Sequence, residues 1–221
     1  MKNLKLTPAA ISLLAAFSLL QGCVPAVIAT GATVGVMSTL DRRTTGAQTE
    51  DEGIEWKAAR SVPERFAATS HLNFTSFNRR LLITGEVASE DAKTAIGEQA
   101  GKVANVREVL NETRVGPISS LANRSNDAYI TSKVKGRLVD EKTLSANHIK
   151  VVTEATVTYL MGIVSEREGK VAVIITSKTD GVSKVVNLME IKSDAEIKRL
   201  DTLPGGGKPI GEQPAPVETR Q

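Results

Sequence analysis

One cysteine, two histidines and scattered serines set the limits on what chemistry this chain can do. A single thiol excludes an intrachain disulfide, and with only two histidines no His-rich or Cys/His zinc centre can be assembled. His71 and His148 occupy equivalent points of a repeat described below, so two domains would hold them apart. No cysteine or carboxylate cluster joins them in the sequence. Ser119-Ser120 has no histidine at motif spacing, and no Gly-x-Ser-x-Gly occurs. Gly205-Gly206-Gly207-Lys208 lacks the spacing and the following Ser/Thr of a phosphate loop, and Pro209 follows its lysine. Glu90-Asp91 reads as a helix start better than as a catalytic pair. No nucleophile, acid–base pair or metal set converges, so neither an enzyme nor a bound cofactor is expected. Two features remain: the lone thiol of Cys23, and a helix face that sets an aromatic beside two cations.

Cys23 follows a segment built for export. Lys2 and Lys5 give a positive start, and an apolar run extends from Ala9 to Leu20. That run is too short to cross ~30 Å of hydrocarbon comfortably and fits a secretory signal peptide over residues 1–22. It ends in Leu20-Gln21-Gly22-Cys23, which resembles the lipobox of bacterial lipoproteins. There the small residue at Gly22 leaves room for the cleavage enzyme, and the thiol of Cys23 takes a diacylglycerol. An N-acyl chain completes the expected anchor. Gln21 departs from the small or aliphatic residue usual at its position. Each buried acyl methylene contributes ~0.8 kcal/mol, so several chains anchor stably where one would not. Val24 follows the cysteine, which by the same resemblance favours the outer membrane, with the protein facing the periplasm. Residues 23–49 then read as a lipidated tether, and Ala26 to Met37 is apolar enough to lie against the bilayer instead; composition does not separate the two.

The remaining composition is that of a folded body. Of 221 residues, 41% are hydrophobic and 24% charged, which excludes a disordered chain. Aromatics make up 3%, so the core must be aliphatic. The formal charge of +3 falls to +1 without Lys2 and Lys5, leaving 26 basic against 25 acidic residues. A nucleic-acid binder that relies on neutralising phosphates would carry a larger excess. Residues 193–221 are rich in proline and glycine and read as a disordered tail.

A repeat with a period near 77 organises the middle. His71-Leu-Asn-Phe-Thr leads to Gly85-Glu-Val87, and His148-Ile-Lys-Val-Val leads to Gly162-Ile-Val164, with the same His-to-Gly spacing. Val106-Arg-Glu-Val109-Leu-Asn111 matches Val182-Ser-Lys-Val185-Val-Asn187 at a shift of 76. Two copies of one small domain are implied. Each copy predicts a helix (Glu50 to Ser61; Ser125 to Val139), then an alternating strand around Leu72 and Phe74 or Ile149 and Val151. A polar turn follows (Asn78-Arg79; Glu154-Ala155), then a second strand (Leu81 to Val87; Val157 to Val164). Ser89-Glu90-Asp91 and Ser165-Glu166-Arg167 cap second helices. Final strands span Val106 to Val115 and Val182 to Ile191. Gly85 and Gly162, inside strands, predict a bulge or the close approach of another backbone. Domains this small are marginal alone, so the copies should pack together across a joint at Gly116-Pro117.

These motifs resemble the BON domain, whose pattern is a hairpin with aliphatic-Gly-x-Val, a helix, then Gly-Val-x-x-Val-x-Asn. The second copy carries Tyr159-Leu-Met-Gly162-Ile-Val164 and Asp180-Gly181-Val182-Ser-Lys-Val185-Val-Asn187. The first keeps Leu82-Ile-Thr-Gly85-Glu-Val87 and has Asn105 where the family often has glycine. With the lipobox, the architecture is similar to the dual-BON-domain outer-membrane lipoproteins. The resemblance implies an α+β fold of two tandem BON domains at 50–116 and 121–192. Each is αββαβ, with a three-stranded mixed sheet packed on two helices. It also implies binding of anionic phospholipid through the first helix of the second domain, concentration at the division site and support of outer-membrane integrity.

Wound at 100° per residue, Ser125–Val139 puts Ile130, Val134 and Leu138 on one stripe, the expected core face. Tyr129, Ser132, Lys133, Gly136 and Arg137 cluster on a neighbouring face. Tyrosine suits a headgroup layer, and each cation near an anionic surface contributes ~1 kcal/mol. Arg124 and Lys135 would add to the field. The resemblance puts tryptophan at Tyr129, so this chain inserts less apolar area. Read without the family, the pattern suits Tyr129 packing against the first domain with the charges merely solvated. The rival to the lipid reading is a periplasmic adaptor that docks protein on this face, for example one assisting the outer-membrane barrel-assembly machinery. Trp56 is expected in a core or interdomain contact, with a second membrane contact as the alternative.

Overall fold

The computed structural model describes residues 41–202. Cys23, the expected signal peptide and the last part of the tail lie outside the described residues. The first copy runs α1 (Thr45–Arg60), α2 (Glu64–Ala67), β1 (His71–Phe77), β2 (Arg80–Val87), α3 (Glu90–Gly101), β3 (Glu108–Asn111) and β4 (Arg114–Val115). The second runs α4 (Leu121–Val139), a 3-10 turn (Ala146–His148), β5 (Ile149–Glu154), β6 (Val157–Ser165), α5 (Glu166–Ser177), β7 (Lys184–Asn187) and β8 (Glu190–Lys192). A last helix, α6 (Asp194–Thr202), follows. The fold is α+β with two mixed sheets. In each, a hairpin pairs antiparallel and the later strands run parallel to its second strand.

Local chemistry explains these elements. Ser89 and Ser165 cap α3 and α5 as expected, and Ser165 forms a full capping box with Glu168. The final strand of each copy is broken in two where one continuous strand was expected. Asn111 causes the first break: its side-chain oxygen accepts from Thr113 N–H at 3.3 Å and Thr113 Oγ1 at 2.7 Å. Asn187 accepts from Met189 N–H at 3.0 Å in the second. The asparagine side chain thus replaces a ladder bond and lets the chain step outward before it pairs again. The glycines behave as close-approach residues. A Cβ on Gly85 would lie 1.9 Å from the His71 carbonyl oxygen, and one on Gly162 would lie 2.4 Å from that of His148.

Each hairpin turn is held from the copy's own first helix. Asn78 and Arg79 both have positive φ, as do Ala155 and Thr156. The second turn is therefore Ala155-Thr156, one residue later than expected. Asp51 of α1 accepts from the N–H groups of Asn78 and Arg79 at 2.7 Å each. Asp127 of α4 accepts from those of Ala155 and Thr156 at 2.9 Å each. A buried carboxylate thus fixes turns that the residue types alone would not favour.

The central strands are buried on both faces. In β2, Leu81, Ile83 and Val87 join Ile54, Ala58, Ala92 and Ile96 in the first core. In β6, Leu160 and Val164 join Ile130, Val134 and Leu138 in the second. The opposite faces meet: Leu82 and Phe77 pack with Tyr159, Met161, Ile163 and Ile197 in one cluster shared by the two copies. Lys150 adds an ion pair to Glu55 at 2.7 Å.

Two boundary expectations are corrected. The segment expected as tether to residue 49 is folded from residue 41 onward, and α1 starts at Thr45, capped by Thr44. Arg42 is buried, pairing with Glu168 at 2.8 Å and Asp201 at 2.8 Å and donating to the Ile163 carbonyl at 2.9 Å. The start of the expected disordered tail is helical, with Ile197 of α6 in the shared cluster.

Candidate functional site

α4 begins about one turn earlier in the structure than its apolar pattern suggested, at Leu121 instead of Ser125. Ser120 caps it, accepting from Asn123 N–H at 3.2 Å. Its buried stripe is Asp127, Ile130, Val134 and Leu138. The three aliphatic residues match the expected core face, each burial contributing about 1.5–3 kcal/mol. Asp127 extends the stripe because it holds the β5–β6 turn. The helix is thereby fixed in rotation, and its other faces are determined.

The neighbouring face presents the expected group. Tyr129 is 62% exposed. Lys133 Nζ stands 4.8 Å from the centre of the Tyr129 ring, a cation–π arrangement. Lys133 also donates to the Asp180 carbonyl, and Arg137 donates to the Lys178 carbonyl and to Thr179 Oγ1 at 3.2 Å. These acceptors are neutral, so they orient both cations without cancelling their charge. The loop supplying them fits against α4 because of Gly181: a Cβ there would lie 2.8 Å from Ile130 Cγ1, and φ is +97°. The Asp180-Gly181 motif therefore positions the helix cations. Ser132 turns its hydroxyl back to the Ala128 carbonyl at 3.0 Å. Gly136 faces open space, so its small size serves no packing inside the chain.

The sequence reading missed two apolar members of this face. Leu121 is 72% and Val139 69% exposed. At 100° per residue both fall within a quarter turn of Tyr129. Residues 121, 125, 129, 132, 136 and 139 form one stripe with Leu, Tyr and Val spaced along it. Arg124 lies on the far side of the helix and lines a cleft between the copies, so it does not join the face. Trp56 is also corrected: it is 58% exposed, and the Arg60 guanidinium stacks 3.7 Å from its ring. Matching Asp51 to Asp127 places Trp56 at the position of Ser132, so the first copy carries its own aromatic and cation on the corresponding helix face. Among the described residues no helix is long and apolar enough to cross a membrane.

The BON domain family model matches residues 51–117 and 126–193. Outer membrane lipoprotein DolP of Haemophilus influenzae is 37% identical over 180 residues, covering 80% of this chain and 93% of that protein. The 21 kDa hemolysin of Actinobacillus pleuropneumoniae is 26% identical over 152 residues, covering 68% of this chain and 78% of its own length. The solved structure of CdsD, a structural protein of the type III secretion system of Chlamydia trachomatis, is 14% identical. It covers 66% of this chain and 97% of its own at a TM-score of 0.28, too low to bear on the fold. Two family matches in tandem and the similarity along most of the chain place this protein in the BON-domain family, as a dual-BON-domain outer-membrane lipoprotein of the DolP type.

Proposed function

We propose that this protein binds anionic phospholipid through the exposed face of α4 and supports the integrity of the outer membrane, at the division site among other places. Cys23 carries the diacylglycerol and N-acyl chains and supplies the permanent anchor. Tyr129, Lys133 and Arg137, with Ser132 and Gly136 between them, make the second contact. The observation that carries this reading is Lys133 over the exposed Tyr129 ring: an apolar plate and two uncompensated cations held on one rigid surface. Leu121 and Val139 extend the apolar part. With one end anchored, the second contact acts at high effective concentration, so a weak site suffices and can discriminate between lipids. The role is non-enzymatic.

The test is binding of the non-acylated residues 24–221 to liposomes with and without anionic lipid, for wild type and for Tyr129→Ala/Lys133→Glu. Binding confined to anionic liposomes, weakened by salt and lost in the variant supports the reading. Absence of binding by folded wild type sinks it and turns the same face toward a protein partner, such as the barrel-assembly machinery.

A further inference from the structure

The interface between the copies holds two carboxylates where the duplication calls for hydrocarbon. Leu82, Thr84 and Glu86 alternate on the face of β2 that meets the second copy. Their counterparts 77 residues on are Tyr159, Met161 and Ile163, all apolar members of the shared cluster. Glu154 is in turn the counterpart of Phe77, another member of that cluster. The interface therefore has an apolar half, with Phe77 and Ile163, and a polar half, with Glu154 and Glu86.

The polar half is buried and short of positive charge. Glu86 is 1% exposed and Glu154 6%. His71 Nδ1 lies 3.4 Å from Glu86 Oε2 and is buried without a hydrogen-bond partner. One ligand atom from each of His71, Glu86 and Glu154 lies within 4.8 Å of the others. Asn73 Nδ2 donates to Glu154 at 2.8 Å, Thr84 Oγ1 stands 3.5 Å away, and Ser119 N–H donates to Glu86 at 3.1 Å. The Arg114 guanidinium reaches Glu86 at 3.5 Å, but that side chain is largely exposed and screened. Two desolvated carboxylates facing each other are costly without a counter-charge between them. A neutral imidazole and two carboxylate oxygens are the donor set of borderline divalent ions. An adjoining cleft of about 420 Å³, lined in part by His71, Asn73, Glu154 and Arg124, gives an ion a way in.

We propose that His71, Glu86 and Glu154 form a divalent transition-metal site, best suited to Zn2+, that fastens the first BON domain to the second. Two ligands come from β1 and β2 and the third from the end of β5, so the ion binds only when the copies are docked. The site is separate from the α4 face and independent of the lipid reading.

The experiment is calorimetric titration of residues 24–221, freed of metal by chelation and lacking the competing Cys23 thiol, with ZnCl2. Thermal denaturation is followed with and without the ion. One Zn2+ per chain and a raised Tm are expected. His71→Asn and Glu154→Gln should each weaken binding beyond the about 10–100-fold typical of losing a group behind a ligand. Metal-free Glu154→Gln should be at least as stable as metal-free wild type, since the repulsion is gone, which separates a lost ligand from a lost fold. Folded wild type that takes up no Zn2+, or uptake undiminished in both variants, overturns the proposal.

Discussion

The carboxylate of Asp127 receives the N–H groups of Ala155 and Thr156 at 2.9 Å each, two residues along the helix from Tyr129. The same aspartate that closes the β5–β6 turn thus sets the rotation of α4 and the aim of its exposed face. Asp127→Ala should cost about 2–3 kcal/mol, because two buried donors lose their acceptor. Ala155→Gly should stabilise by up to about 1 kcal/mol, since alanine pays for its φ of 48°. Urea denaturation of both variants checks the pair. Equal stability of Asp127→Ala and wild type would refute the role given to this carboxylate.

Substitution at the face should separate binding from folding. Tyr129→Trp adds apolar area and should tighten binding to anionic liposomes. Val139→Glu and Leu121→Glu should weaken it while leaving Tm nearly unchanged, as both side chains are exposed. Liposome flotation read beside thermal denaturation distinguishes these outcomes. Weakened binding that tracks a lowered Tm would point to damage rather than contact.

Stability should fall in acid in two stages. Burial, then the charge of Arg42, holds the His148 imidazole below its ordinary 6.5. The unfolded chain therefore binds that proton first. His148's contribution is complete above about 6.5 and is lost as pH drops through that value toward the folded pKa. Burial alone would push Glu168 up, but the Arg42 hydrogen bonds, the Ser165 N–H and Arg42's charge outweigh it and hold this carboxyl below 4.5. Its contribution persists above 4.5 and is lost as pH falls through its folded pKa. Denaturation midpoints from pH 8 to 3 should show both slopes, and His148→Leu should flatten the upper one whatever its baseline stability.

Gly162→Ala should destabilise by more than about 2 kcal/mol, since its Cβ would meet the His148 carbonyl oxygen at 2.4 Å and force β5 from β6. Gly136→Ala, facing open space, should be neutral or slightly stabilising. Melting the two variants side by side tests whether the repeated His-to-Gly spacing is a packing requirement.

The repeat was legible because each copy writes its elements in short-range pattern: alternation in the hairpins, serine caps, and a 100° stripe through Ile130, Val134 and Leu138. Tyr129, Lys133 and Arg137 followed from that stripe by simple geometry. What escaped depends on distant partners. Nothing in Ala155-Thr156 announces a left-handed turn; Asp127, 28 residues away, supplies it. The folded start of the chain escaped because Arg42 is buried by Glu168 and Asp201, more than a hundred residues on. Trp56 was misplaced because a lone tryptophan suggests a core, whereas here Arg60 shelters one side of an exposed ring. The juxtaposition of His71, Glu86 and Glu154 crosses domains, and its only trace in the sequence is that Glu86 and Glu154 stand where the other copy has isoleucine and phenylalanine.

Arg42 joins the beginning of the folded body to its end, gripping Asp201 of α6 and Glu168 of α5 at once. Both ends of the described body therefore meet at the second domain, although the first domain comes earlier in the sequence. Seventeen residues lie between Cys23 and Asp41, and fully extended that stretch reaches at most roughly 60 Å. With the anchor proposed at Cys23, the second domain would be the one kept on the short leash. A mechanical pull along that leash arrives at the Arg42 clamp before it reaches α1, so load passes into the body through buried ion pairs instead of peeling its first helix.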